Sequence, residues 1–412
     1  MTTATSTALR TAGTAQALPL LFASCLAVLG AVLLTPVIPQ LLDQFGGSPL
    51  VLLIISAPAL MIAIFAPFAG QIADRVGRKK LLIITMFVYA FVGTAPLWLP
   101  ADLGLILISR LLVGVCEAAI MTCCTTLLGD YFSGARRNKY FGLQAVFTSI
   151  SATIFLLVGG ILGGTGWRTP FLVYAISLLI VIPMFFVIFE PQKTAEQRAF
   201  DASQARARVP WAMLRLPLIV TLFGGFAFFV VLAEPPVIYT TLGLEDARAI
   251  GPISAAASVA TAILALVFAR LTKLGAKVLL PIAFGAMAVG YVIVWVAAAA
   301  GTLPGVIGGV LVASAGTGLL LPTLLAWAVG RIPFESRGRS TGIWTASFFL
   351  GQFVTPIVIG AIQEGAGIPV AMAVGIVGIV CAVVAVVLAV TVKAGPIHGD
   401  SIEQPVAAAV QV

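Results

Sequence analysis

Two charged residues lie within one apolar stretch of the chain and are the first candidates for chemistry. Arg110 and Glu117 occur in the segment RLLVGVCEA, which has apolar residues on both sides. Seven residues cover about 700° of an α-helix, so the two side chains share a face about 10 Å apart along the axis. Charged groups in hydrocarbon are costly and normally mark a polar cavity, an ion pair or a proton pathway.

Three roles are open for Glu117. It could exchange protons with a cavity, it could bind a cationic substrate directly, or it could form a structural ion pair with Arg110 or a residue of another helix. The first two roles can coincide if proton and cation compete for one carboxylate. Glu234 is the other acid well inside an apolar run, and it precedes Pro235-Pro236, where a helix should kink or end. It either faces a cavity or lies among the lipid headgroups.

The composition shows what kind of element must position these charges. Of the 412 residues, 60% are hydrophobic and only 9% are charged, and the mean hydropathy is +1.13. A soluble domain carries roughly 25% charged residues, so an ordinary soluble enzyme and a disordered chain are excluded. Apolar runs predict an all-α integral membrane protein with twelve transmembrane helices. The predicted spans are 18–40, 50–70, 80–100, 103–129, 139–164, 168–189, 216–241, 249–270, 276–298, 303–329, 339–362 and 367–393.

The basic residues predict the orientation. With the N-terminus inside, nearly all of the 23 Lys and Arg residues fall in the tails and alternate loops on the cytoplasmic side. Both termini are therefore expected in the cytoplasm, and the protein itself is expected in the inner membrane of the cell. The net charge of +8 follows this topology, so nucleic acid is not an expected partner.

Two halves are predicted, because one connection is long and polar and the sequence repeats around it. The predicted pattern is a cytoplasmic tail (1–17), a six-helix bundle (18–189), a linker (190–215), a second six-helix bundle (216–393) and a second tail (394–412). The segment GQIADRVGRK at 70–79 has a degraded copy, FARLTKLGAK, at 268–277. Parallel six-helix halves are a transporter architecture, with substrate held between them near the midplane.

The first of these loops carries the most specific motif. It contains Gly70, Asp74, Arg75, Gly77, Arg78 and Lys79, and it resembles the G-x-x-x-D-R-x-G-R-K signature of the major facilitator superfamily. Gly70 should permit close approach of helices, and Gly77 should allow a turn with positive φ. The resemblance implies that Asp74 meets the N-terminus of span 11 and that Arg75 and Arg78 engage Asp130. These residues would form a conformational switch.

Other segments bear on the substrate. Arg110, Gly114 and Ala118 resemble the R-x-x-x-G-x-x-x-A pattern of span 4 in the same family. Span 5 matches the family's antiporter pattern only at Gly159-Gly160, which weakens a drug-antiporter assignment but still permits close packing. Candidates for a partly polar, aromatic cavity are Gln144, Thr148, Trp344, Phe348 and Gln352, although each could serve helix packing instead.

The expected function is transport by alternating access, in the manner of bacterial sugar-efflux and multidrug-efflux permeases. We expect proton-coupled efflux of small amphipathic molecules, drug-like or sugar-like. The alternative is a facilitator or proton symporter that imports a sugar or a carboxylate, and a lipid flippase or a sensor is a third possibility. No catalytic constellation, nucleotide motif or metal-ligand spacing occurs, so no enzyme activity, cofactor or metal is expected. The expected partners are a small-molecule substrate, protons and the bilayer, with the chain as a monomer.

Overall fold

Helices long and apolar enough to cross a membrane make up most of the structure. This computed structural model describes residues 13–191, 209–330, 332–333 and 336–392. Twelve such segments occur among these residues, numbered here as spans 1 to 12: Thr14–Gln44, Pro49–Val76, Arg78–Leu97, Leu103–Tyr131, Gly134–Gly163, Thr169–Val187, Trp211–Thr241, Ala247–Phe268, Ala276–Ala299, Leu303–Val329, Arg337–Ala366 and Val370–Thr391. Each overlaps its predicted span, so the predicted all-α membrane fold is confirmed.

Part of the predicted domain pattern lies outside the described residues. This holds for residues 1–12 of the first tail, for 192–208 of the linker and for the whole of the second tail. Spans 1 and 7 begin at Thr14 and Trp211, earlier than predicted from hydropathy. A helix can continue past the hydrocarbon into the headgroup region, where polar residues no longer mark its end.

The first span of each half is interrupted. Span 1 consists of short helices and 3₁₀ turns: Thr14–Cys25, Leu26–Val28, Leu29–Val32, Thr35–Val37 and Ile38–Gln44. Span 7 stops at Ala233 and resumes at Pro235, as the Pro235-Pro236 pair predicted. Such breaks free backbone groups from the helix ladder, and these groups are then available to side chains of neighbouring helices.

Two glycine turns mark equivalent ends of the two halves. Gly77 joins spans 2 and 3 with φ 94°, and Gly275 joins spans 8 and 9 with φ 73°. Only glycine adopts such angles at little cost, so the predicted turn at Gly77 is confirmed and recurs in the second half. The end of the molecule that carries these two loops is called the basic end below, after its Arg and Lys residues.

Each half has its own apolar interior. One cluster of buried side chains draws almost entirely on residues 17–188, and the other draws on residues 220–392. Large apolar side chains also face outward, among them Phe186 and Val390, each 79% exposed. Such an apolar outer surface fits a lipid environment, where exposure of these side chains has no hydrophobic cost.

The halves meet closely at the end opposite the basic end. Gly160 of span 5 lies against Gly251 of span 8, where a Cβ added to Gly160 would come within 2.8 Å of the Gly251 Cα. Gly163 packs in the same way near Ala247, and Arg248 donates a hydrogen bond to the carbonyl of Gly164 (3.3 Å). Small residues permit this contact between helix backbones, as the glycine pairs of span 5 predicted.

Candidate functional site

Glu117 is held at the break of span 1. Its side chain is 2% exposed, and its Oε1 atom accepts a hydrogen bond from the backbone N–H of Gly30 (2.9 Å). A Cβ added to Gly30 would lie 2.6 Å from the same oxygen. The glycine therefore leaves the space that the carboxyl group occupies. Span 4 supplies the acid, and the interrupted span 1 supplies its backbone partner.

Tyr89 of span 3 completes this contact. Its hydroxyl lies 3.0 Å from the Leu26 carbonyl oxygen and 3.2 Å from Oε1 of Glu117. The carbonyl can only accept, so a hydroxyl that donates to Leu26 can in turn accept a hydrogen bond from the O–H of a neutral Glu117 carboxyl group. The arrangement can thus satisfy Glu117 with or without its proton. We refer to Gly30, Leu26, Tyr89 and Glu117 as the carboxyl cluster.

Arg110 is fully buried and makes no described hydrogen bond to the carboxyl cluster. Its guanidinium donates to the carbonyls of Val92 (3.3 Å) and Gly93 (3.0 Å), and it lies 5.0 and 4.8 Å from the ring centroids of Phe171 and Tyr174. Carbonyl oxygens and aromatic faces both attract a cation. Arg78 forms ion pairs with Asp74 and Asp130, whereas no ion pair joins Arg110 to Glu117 among the described residues.

Glu234 occupies the break of span 7. It is 1% exposed, and both carboxyl oxygens lack a hydrogen-bond partner among the described residues. Its neighbours Val231, Leu232 and Pro235 line a cavity, whereas Glu234 is not among the described lining residues. Burial of this kind differs from the lipid-headgroup position that the sequence also allowed.

A cavity of about 270 Å³ lies between the two halves. Its wall is mostly apolar, with hydroxyl groups set into it, and it contains Thr148, one of the predicted cavity residues. The described lining residues are Val28, Val32, Thr148, Ser149, Ala152, Leu156, Phe228, Val231, Leu232, Pro235, Tyr239, Ser254, Ala257, Ser258, Thr261, Ala262, Ala265, Val310, Ser314, Thr317, Gly318, Leu321 and Pro322. Val28 and Val32 flank the Gly30 position, so the carboxyl cluster lies directly behind one part of the wall.

Most of the other predicted cavity residues make packing contacts. The Gln144 amide donates to the hydroxyls of Ser24 (2.9 Å) and Thr125 (3.1 Å), linking spans 1, 4 and 5. Trp344 stacks on Phe348, and Phe348 packs edge-on against Phe228 of the cavity wall. Gln352 is 5% exposed. Their roles at the cavity remain predictions.

The switch motif forms a charged cluster at the basic end. Arg78 donates to Asp74 (2.9 Å) and to Asp130, so it makes the contact to Asp130 that was expected of Arg75 and Arg78. The contact of Asp74 with span 11 stays a prediction. No described atom lies within 4 Å of a Cβ built on Gly70, so the expected close contact does not involve this residue. Spans 2 and 11 meet one turn away, where a Cβ on Gly342 would lie 3.5 Å from the Cα of Pro67.

Sequence reasoning missed several residues that contribute to these sites. Glu190 accepts hydrogen bonds from the backbone N–H groups of Arg78 and Lys79, both at 2.8 Å, so the start of the linker caps span 3. Tyr89 and Gly30 were also missed, as were the hydroxyl groups of spans 8 and 10. A hydroxyl residue in an apolar run was the only available signal, and it does not distinguish a cavity wall from helix packing.

Comparison with known proteins agrees with this architecture. The sequence matches the Major Facilitator Superfamily over residues 20–251 and 233–410. The quinolone resistance protein NorA of Staphylococcus aureus is 28% identical over 220 residues, or 52% of this chain and 56% of NorA. Multidrug resistance protein 2 of Bacillus subtilis is 30% identical over 179 residues, or 43% of this chain and 44% of that protein. The chain thus spans about half the length of the curated relatives it matches.

A solved structure extends the likeness to nearly the whole fold. The D-xylose-proton symporter superposes with a TM-score of 0.71 over 91% of this chain and 95% of its own, at 17% identity. Two helical halves around a central cavity define a membrane transporter for small molecules. The chain belongs to the Major Facilitator Superfamily.

Proposed function

We propose that this chain is a secondary active transporter that exports small amphipathic organic molecules in exchange for protons. The basic end faces the cytoplasm, both termini are cytoplasmic, and the chain works as a monomer in the inner membrane of a bacterial cell. In this orientation the contact between Gly160 and Gly251 closes the outer side. The described conformation is then a state of the alternating-access cycle in which the outer side is closed.

The observation that carries proton coupling is the bond from Gly30 to Glu117 (2.9 Å). It joins a buried acid to a broken helix whose residues Val28 and Val32 line the cavity. Gain or loss of a proton changes the strength of that bond, since hydrogen bonds to charged groups are about twice as strong as neutral ones. The protonation state of Glu117 therefore acts on the shape of the cavity wall.

This placement favours one of the three roles considered for Glu117. The acid is not among the described lining residues of the cavity, which does not support direct contact with a substrate. It has no ion-pair partner among the described residues, which does not support a structural pair. Proton coupling uses the contacts that Glu117 does make.

Two relatives are named for resistance to quinolones and to multiple drugs, and export of a toxic compound confers resistance. This likeness supports the outward direction. Import remains the alternative, since the similar D-xylose-proton symporter takes the same fold. The hydroxyl groups of the cavity suit a sugar in either direction. A carboxylate substrate is less well supported, because Arg110 is bonded to Val92 and Gly93 away from the described cavity wall.

Proteoliposomes with a pH dye in the lumen test the proposal. The probes are tetraphenylphosphonium, chloramphenicol, 4-nitrophenyl β-D-glucoside and benzoate, each added to the native protein and to Glu117→Gln. We expect at least one probe to cross the membrane in one direction while protons cross in the opposite direction. In Glu117→Gln we expect this proton movement to be lost. Glu364→Gln is the matched control, because Glu364 is an exposed acid near the end of span 11.

The sign of the proton signal separates the two directions of coupling. Protons and probe moving together would replace the exporter by a symporter. Probe movement without any proton signal in either protein would replace it by a uniporter, with Glu117 in a structural role. An equal proton signal in Glu117→Gln and the native protein would assign the coupling to another residue.

A further inference from the structure

The described wall of the cavity contains no charged side chain. Among the buried charged residues of the spans, Glu117 is bonded to Gly30 and Arg110 to the Gly93 carbonyl. Glu234 lies between the lining residues Leu232 and Pro235 but is not itself among the described lining residues. A charged group of a ligand would therefore enter an apolar cavity without an opposite charge, which is energetically costly.

Several hydroxyl groups of the wall donate their protons to backbone carbonyls. Thr148 and Ser149 each donate to the Ala145 carbonyl (2.9 Å), and Thr317 donates to the Ser314 carbonyl (2.7 Å). Each hydroxyl has one proton and two acceptor lone pairs. When the proton is bonded to the helix, the lone pairs remain for a ligand. These three hydroxyls can therefore accept hydrogen bonds from a ligand.

Tyr239 differs from these residues. It lines the cavity near the end of span 7, it is 0% exposed, and its hydroxyl has no hydrogen-bond partner among the described residues. The hydroxyls of Tyr89 and Tyr291, by contrast, donate to backbone carbonyls of spans 1 and 7. A buried polar group without a partner is rare in native structures and calls for an explanation. A ligand in the cavity that bonds to Tyr239 would supply the missing partner.

We propose that the cavity selects uncharged amphipathic molecules that donate hydrogen bonds, and that the Tyr239 hydroxyl binds a polar group of the ligand. The ligand class is an apolar or aromatic skeleton bearing hydroxyl or amide N–H groups. Permanent cations and carboxylates are disfavoured. This inference rests on the proposed function only in taking the cavity as the substrate site. A cavity of about 270 Å³ lies near the lower end of the usual size range, which suits a single small molecule.

A matched series of four aryl glycosides tests the chemical class. They are 4-nitrophenyl β-D-glucoside, its 6-carboxylate (the glucuronide), its 6-amino-6-deoxy analogue and its tetra-O-methyl ether. Binding is measured by calorimetry on the purified full-length protein in lipid nanodiscs. We expect the neutral glucoside to bind about tenfold or more tightly than each of the other three, since these carry a charge or lack donors.

The ranking of the four probes decides the matter. Equal or tighter binding of either charged analogue, or of the methyl ether, overturns the proposal, and so does the absence of glucoside binding. No gradient is present in nanodiscs, so proton-coupled export can fail in proteoliposomes while this ranking holds. Conversely, the ranking can fail in nanodiscs while proton-coupled export is observed in proteoliposomes, so the two proposals can fail separately.

The Tyr239→Phe variant tests the assigned residue, because it removes one oxygen and keeps the ring. We expect about five- to tenfold weaker binding of the glucoside. Tyr140→Phe is the control, since Tyr140 lies at the start of span 5 near Thr14, outside the described cavity wall, and its variant should bind as the native protein does. Thermal unfolding establishes that both variants are folded. Unchanged glucoside binding by folded Tyr239→Phe overturns the assignment of this residue.

Discussion

The two halves share an anchor but differ in the acid beside it. In the first half Tyr89 of span 3 donates to the Leu26 carbonyl at the break of span 1 (3.0 Å). In the second half Tyr291 of span 9 donates to the Ala227 carbonyl of span 7. These are near-equivalent positions of the internal repeat. The repeat has therefore kept a tyrosine that ties the third helix of each half to the first.

The acid differs in its source and in its contacts. Glu117 comes from span 4 and bonds with Gly30 and Tyr89, whereas Glu234 belongs to span 7 itself and has no described hydrogen-bond partner. The span 10 position that corresponds to Glu117 is close to Thr317, which lines the cavity. The comparison assigns proton chemistry to the first half and most of the hydroxyl-bearing cavity wall to the second.

The largest expected effect comes from Gly30→Ala. The new Cβ would lie 2.6 Å from Oε1 of Glu117, and the flexible carboxyl group would move away from the Gly30 N–H. A hydrogen bond to a charged group contributes about 1.5–3 kcal/mol, so proton-driven transport should fall about tenfold or more while the fold is retained. The proton signal in proteoliposomes measures this loss.

Gly142→Ala is the control for that variant, because no described atom lies within 4 Å of its added Cβ. In the second half, the positions near the equivalent of Gly30 are valines, Val230 and Val231, so the repeat accepts a side chain there. If Gly30→Ala transports as well as the native protein, the carboxyl cluster does not couple protons to span 1. The functional difference between the halves would then be lost.

A pair of tyrosine variants gives a smaller effect. Tyr89→Phe and Tyr291→Phe each remove one hydrogen bond to a carbonyl, and each should lower the free energy of unfolding by about 0.5–1.5 kcal/mol. Tyr89→Phe should also reduce the proton signal several-fold, because its hydroxyl contacts Glu117, while Tyr291→Phe should leave that signal in place. Thermal unfolding and the proteoliposome assay together measure both quantities. An equal loss of proton signal in the two variants would contradict the assignment of proton coupling to the first half.

The smallest effect is expected for Glu234→Met. Leaving a buried polar group without a partner costs about 1–3 kcal/mol, so an apolar side chain of similar size should raise the free energy of unfolding by about 1 kcal/mol or leave it unchanged. The proton signal should persist. Chemical denaturation in detergent measures the stability. Loss of the proton signal would show that both halves carry a proton site.

Much of the fold could be predicted because its signals are local. Hydropathy located every span, Pro235-Pro236 predicted the break of span 7, and Gly77 predicted its own turn. The contact between Arg78 and Asp130 followed from the resemblance of the loop to a family motif. Each of these features depends on residues close together in sequence or on a recurring pattern.

The site depends on how helices are rotated and packed, which local patterns do not determine. Nothing in the apolar run around Tyr89 indicates that its hydroxyl meets Glu117 and Leu26. Gln144 was a reasonable cavity residue by type, yet its amide is bound by Ser24 and Thr125. Gly70 was expected at a close contact, but no described atom lies within 4 Å of a Cβ built there.

The glycine contact between spans 5 and 8 has a mechanical consequence. Gly160 and Gly251 bring two backbones together with no side chains interlocked between them. Interdigitated side chains resist rotation because each must leave its groove before the helices can turn. Two smooth surfaces exchange few contacts when they turn against each other. The pair can therefore separate as one half tilts relative to the other, without side chains having to leave grooves, while the interior of each half stays packed.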